Sequence, residues 1–296
     1  MWGLPFLALA LTAGVTVQDR APNCWICDEA AFGDEVTWVL CDSGLIYQTA
    51  DSGATWTVAR ACQVRARTAA LGSPAYALVA GASGLLMVTE DAGRNWRQVD
   101  TGGHSHLNAI AGWGDHAWVA GNEGTILHSA DRGRTWRLQN AFTRSNLESL
   151  WFLDELRGWA VGWNGAILRT TNGGEFSEPV PAAGIHHPLT GVHFRNAHEG
   201  WAVGVPGLIL HTTNGGQSWT RLASPDPGWL RSIFFTPEGV GYVAGDGVLA
   251  SYDGGQTWRP LPLSSGGTLV ALVLQKGRLW AFGSHTVAVN GGGGTS

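Results

Sequence analysis

Short apolar runs bounded by glycine recur along the chain, and helical periodicity never holds for ten residues. The clearest run is GWAVG, at 158–162 and again at 200–204, with AWVAG at 117–121 and GYVAG at 241–245. Weaker versions are TWVLC at 37–41, ALVAG at 77–81 and LWAFG at 279–283. A continuous apolar run of this length reads as a strand covered on both faces. After each comes a Gly turn and a second apolar strand, such as GTILH at 124–128, and about ten residues on a polar octet.

The octet is SADRGRTW at 129–136, with relatives TADSGATW at 49–56, TEDAGRNW at 89–96, TTNGGQSW at 212–219 and SYDGGQTW at 251–258. A copy at 170–176, TTNGGEF, lacks the Trp, and VNGG at 289–292 reads as a truncated one. The acid or amide positions are Asp51, Asp91, Asp131, Asn172, Asn214, Asp253 and Asn290, spaced 37 to 42 apart. Each repeat therefore reads as strand A, the Trp strand B, a Gly turn, strand C, the octet and strand D. Four short strands per repeat of about forty residues is the pattern of a β-propeller blade. The expected fold is all-β: a single seven-bladed propeller of four-stranded antiparallel blades over 14–296. The seventh octet stands too near position 296 to be followed by a strand D, so the β-branched stretch 14–18 is expected to pair beside 285–290 and complete the last blade.

The octet invites a catalytic or calcium-binding reading of its Asp. Repetition argues against it, because an active site is needed once and a turn in every blade. Asp can accept turn N–H groups, Gly can take positive φ, and the Trp can pack on a neighbouring sheet. The seven positions are therefore assigned a structural role.

Composition narrows the partner. With 43 Gly and 16 Trp interleaved among Val, Ile and Leu, the chain is strand-rich rather than low-complexity, and a net charge of −5 gives no basic footprint for nucleic acid. The apolar run at 4–13 is too short to span a bilayer and suits a signal-peptide core, although no Lys or Arg precedes it. Residues 1–13 are read as a signal peptide and the protein as exported: periplasmic, extracellular or lumenal. Cys24, Cys27, Cys41 and Cys62 then read as disulfide-forming, with Cys41 facing Cys24 or Cys27 and the other left for Cys62. His104, His106, His186 and His187 are read as solvated loop residues; no metal or other cofactor is expected.

The octet resembles the Asp-box, or bacterial neuraminidase repeat. The longer unit GWAVGVPGLILHTTNGGQSW at 200–219 is similar to the photosystem II stability and assembly factor-like propellers of cyanobacteria, chloroplasts and many other bacteria. The resemblance covers about residues 22–292 and implies a non-enzymatic, exported scaffold that binds a protein partner, such as a membrane-complex subunit, as a monomer. The alternative is a carbohydrate-binding or sialidase-like Asp-box glycoside hydrolase. Sialidases carry an early Arg-Ile-Pro motif, where this chain has Arg20-Ala21-Pro22, and its non-box acids show no distinctive pairing. No catalytic residue is assigned.

A binding site is expected where repeats differ, on the D–A and B–C connections. If strand A is innermost, its variable positions ring one mouth of the channel: Arg65, Asn108, Glu148, Thr190, Arg231 and Val270. Arg67 and Arg144 add basic character there, and Trp163 and Trp229 stand outside the regular Trp positions on the same side. Arg65, Arg67, Asn108, Arg144, Glu148, Trp163, Trp229 and Arg231 are the candidate partner-binding residues.

Overall fold

The computed structural model describes residues 75–174 and 184–261 together with Val180 and, outside them, segments between 15 and 71 and between 268 and 290. Among the described residues every regular element apart from three short 3₁₀ turns is a β-strand, and neighbouring strands pair antiparallel. We name the strands of each sheet A to D in chain order. Sheet 1 holds Ile26–Phe32, Val36–Cys41, Leu45–Thr49 and Thr57–Ala61; sheet 2 holds Ala66–Leu71, Ala77–Gly81, Leu86–Thr89 and Arg97–Gln98. Sheet 3 holds Leu107–Trp113, His116–Gly121, Ile126–Ser129 and Arg137–Leu138; sheet 4 holds Leu147–Phe152, Gly158–Gly162 and Ile167–Thr170. Residues 175–179, where a fourth strand of sheet 4 is expected, lie outside the described residues. Sheet 5 holds Leu189–Phe194, Gly200–Gly204, Leu208–Thr212 and Thr220–Leu222; sheet 6 holds Leu230–Phe235, Gly241–Gly245, Val248–Ser251 and Arg259–Leu261. The last sheet joins Leu269–Gln275, Arg278–Gly283 and Thr286–Asn290, its strands A to C, to Val15–Val17 in the place of strand D, with Val15 opposite Asn290 and Val17 opposite Ala288. The arrangement is that of an antiparallel β-propeller.

The core lies between sheets, and the strand B tryptophans are its largest fully buried side chains. Trp118 lies flat between Phe152 of sheet 4 (ring centroids 3.6 Å apart) and His128 of its own sheet (4.9 Å). Trp159 stacks on Phe194 of sheet 5 at 3.5 Å, and Trp201 on Phe235 of sheet 6 at 4.1 Å. The same indoles donate onward to the octet of the next sheet: Trp118 Nε1 to the Gly173 carbonyl (2.6 Å), Trp159 to Gly215 (3.0 Å) and Trp201 to Gly255 (3.2 Å). These three runs thus each supply one side chain that both fills and pins the seam.

Within an octet, Asp131 Oδ1 accepts the N–H groups of Arg134 (3.0 Å) and Thr135 (2.8 Å), and Oδ2 accepts the Thr135 hydroxyl (2.6 Å). The Ser129 hydroxyl donates to Asp131 while accepting the Gly133 N–H at 2.8 Å. Gly133 has φ of +70°, and an added Cβ would meet Leu78 and Val88 of sheet 2. Asp91 and Asp253 repeat the set, while Asn214 Oδ1 accepts the Ser218 N–H and its Nδ2 donates to the Ser218 hydroxyl. Asn172 is bonded to the Thr170 hydroxyl. Bonds to Thr135 hold the Asp131 carboxyl down at about 2. An acid so committed to its own turn has no proton to offer near neutral pH. Asp51 and the side chain of Asn290 lie outside the described residues, as do Cys24, Cys62 and the side chain of Cys27.

Candidate partner-binding site at the channel mouth

The A strands share an irregularity that builds the site. In each sheet the first residue of strand A pairs with the last of strand B, and the following residue is skipped before pairing resumes: Leu107 faces Gly121, Ala109 faces Ala120, and Asn108 is the extra residue. The same bulge falls at Cys27, Arg67, Glu148, Thr190, Arg231 and Val270. A bulge leaves one residue unpaired and re-aims its side chain, so strand A carries one variable position on an otherwise repeated frame. The ring position expected at Arg65 belongs to Arg67; Arg65 itself lies outside the described residues.

Six of these bulge residues, Arg67, Asn108, Glu148, Thr190, Arg231 and Val270, converge on one cavity of about 580 Å³, which Trp163 and Trp229 also line. Small residues at the next position, Thr68, Ala109, Ser149, Gly191 and Ser232, let the A strands crowd together; a Cβ on Gly191 would stand 3.1 Å from the Arg231 carbonyl. Ala69, Ile110, Leu150, Val192 and Ile233 give the wall an apolar lower course. Arg144, on the exposed loop after sheet 3, does not line the cavity.

Most polar groups of the ring are tied to one another. Arg67 Nη1 donates to Asn108 Oδ1 at 2.7 Å, and the Asn108 amide donates to Asn122 Oδ1 and the Leu147 carbonyl, which fixes the amide's orientation. The Thr190 hydroxyl donates to the Leu230 carbonyl at 2.5 Å. Glu148 Oε1 accepts the Trp163 indole N–H at 2.6 Å. Burial pushes the Glu148 carboxyl up, against the pull of that indole and of Arg67. Arg231 differs: its Nε is buried without a partner and its guanidinium lies 5.2 Å from the Trp229 ring centre. A buried N–H left without a partner costs about 1–3 kcal/mol.

The rim is held by the B–C turns. Trp163–Gly165 forms a tight 3₁₀ turn in which Gly165 has φ of +69°, and a Cβ there would lie 2.2 Å from the Ile185 carbonyl of the adjoining D–A loop. That contact leaves Trp163 45 % exposed beside the cavity, as Trp229 is at 47 %.

The histidines weighed from sequence do not assemble. His104, His186 and His187 are exposed, and His106 Nδ1 accepts the Ser83 N–H at 3.0 Å. Among the described residues no group of three or more His, Cys, Asp or Glu is placed to hold a metal ion.

No curated protein matches the chain. Among solved structures, one described as YCF48 bound to D1 peptide aligns with a TM-score of 0.74 at 18 % identity, covering 96 % of this chain and 98 % of that one. YCF48 from Cyanidioschyzon merolae aligns with a TM-score of 0.73 at 18 % identity over 94 % of this chain and 98 % of that one. An ancestral GH74 enzyme reaches 0.73 at 14 % identity, covering 95 % of this chain and 46 % of that one. At these identities the likeness is one of fold. The family model for photosynthesis system II assembly factor YCF48 matches residues 67–141 and 138–229, more than half of the sequence. The chain belongs to the photosynthesis system II assembly factor YCF48 family.

Proposed function

We propose that this protein is a non-enzymatic, exported scaffold that captures a segment of a membrane-complex subunit at the mouth of its channel and assists that complex's assembly or stability. The observation that carries the reading is the convergence of Arg67, Asn108, Glu148, Trp163, Trp229 and Arg231 on one cavity. Family membership supports it, as does the peptide bound to one structural relative. Arg and Trp are the residues on which recognition surfaces concentrate their binding energy, and here they surround an apolar lower wall. Glu148 is the one carboxylate lining the cavity among the described residues, whereas glycoside hydrolysis ordinarily needs two facing acids.

The ring is proposed to have seven blades, closed by residues 15–17. Their pairing with 288–290 and the contact between the A strands of the last sheet and sheet 1 support this. Export with removal of residues 1–13 and disulfides among the four cysteines belong to the same proposal. Cys41, fully buried and disulfide-bonded, supports the stapling.

Affinity capture from host membranes tests the function. The wild-type protein is expected to retain a membrane-complex subunit that the Arg67→Glu/Arg231→Glu variant loses. Equal retention by both would overturn the mouth as the binding site.

A further inference from the structure

The seam between sheets 3 and 4 holds a pair of imidazoles that neither the octets nor the channel mouth uses. His116 opens strand B of sheet 3 and His128 lies on strand C, opposite Trp118. Their rings are stacked within 20° of parallel, and His116 Nδ1 stands 3.0 Å from His128 Nε2. Both are partly buried, with the Trp118 indole flat against His128 at 4.9 Å. The far nitrogen of His116, Nε2, is 3.9 Å from Glu155 Oε2 on the A–B loop of sheet 4.

We propose that His116 Nδ1 and His128 Nε2 form a two-histidine site for a divalent first-row transition ion such as Zn²⁺, with solvent completing the shell. Two nitrogens bound to one tetrahedral zinc at about 2.0–2.1 Å stand about 3.3 Å apart, a few tenths of an ångström beyond the present separation. Metal-bound imidazoles are held by carboxylates or other acceptors on their remaining N–H groups, and His116 has one nearby in Glu155. In the metal-free protein one ring proton lies between the two nitrogens. When the ion binds, that proton resides on His128 Nδ1, and both facing lone pairs go to the metal. Glu155 comes from the next sheet, so its attraction to the ion and to His116 adds a tie across the seam already pinned by Trp118.

The test is a ZnCl₂ titration of the full-length, non-reduced protein by isothermal calorimetry, with CoCl₂ absorption as an independent report on the ligands. One ion per chain is expected, with affinity falling at least tenfold in His116→Gln and in His128→Gln and severalfold in Glu155→Gln. His187→Gln, outside the site, should bind as wild type does. Zinc should raise the melting temperature of the wild-type protein above its value in EDTA and give His128→Gln no such rise over its own value in EDTA. Binding that survives His128→Gln, or no binding at all, would mean that the two rings merely share a proton and would overturn the site.

Discussion

The indole of Trp118 donates to the carbonyl of Gly173 across 2.6 Å, although the two residues are 55 positions apart in sequence and belong to different sheets. The contact explains why Trp and octet recur together: the octet turns after strand C of sheets 4, 5 and 6 are receptors for Trp118, Trp159 and Trp201 of the sheets before them. Trp118→Ala should remove the stack on Phe152, the bond to Gly173 and the volume between them, costing about 3–5 kcal/mol in urea unfolding. Trp136→Ala, at a half-exposed indole that bonds within its own octet, should cost clearly less. Equal losses would contradict the seam-pinning role of strand B.

Asp131→Ala should cost about 1–2 kcal/mol at neutral pH through its lost turn bonds. The sign of the pH dependence follows from the carboxyl being held at about 2, below its unfolded value near 3.9. The contribution is complete above about pH 4 and is lost as pH falls through about 2. Wild type and variant should therefore converge in urea midpoints toward pH 2, with partner binding at pH 7 unaffected by the substitution.

Glu148 behaves oppositely. Its carboxyl is pushed up by burial, so ionisation costs stability as pH rises through its folded range. Glu148→Gln keeps an acceptor for the Trp163 indole and removes that charge. The variant should melt higher than wild type at pH 8 and match it at pH 3, where the carboxyl is protonated in both folded and unfolded chains. A lower melting temperature at pH 8 would mean that the ionised carboxylate is itself needed by the ring.

Deleting residues 14–20 should lower the melting temperature of the whole ring in a single transition, because Val15–Val17 pairs along Thr286–Asn290 rather than hanging from one end. An unchanged melting temperature would show that the last sheet stands without it.

The repeat, its strands and its turn chemistry were legible because each is local: period, Gly placement and the Asp–Thr bonds all fall within one octet. The site was legible as a set of variable positions but not in its register. Counting strand A by apolar spacing places Arg65 in the ring, whereas the bulge after Ala66 gives the position to Arg67. An extra residue in a strand leaves the apolar pattern nearly unchanged, so only the paired register reveals it. Contacts between particular side chains are not legible in the sequence. Trp163 and Glu148 each stand out as variable positions, yet nothing in their spacing indicates a 2.6 Å bond, and His116 and His128 lie on regular strands with nothing in the pattern to pair them.

The most direct measurement of the central claim is site-specific photocrosslinking in the living host. A benzoylphenylalanine placed at Trp163 or Trp229, on the rim of the cavity, is compared with one at Tyr252, on an exposed octet turn away from it. Capture at the channel mouth predicts crosslinks to one membrane-complex subunit from positions 163 and 229, lost when Arg67 and Arg231 are changed to Glu, and none from 252. Crosslinks to that subunit from position 252, with none from the rim, would contradict it.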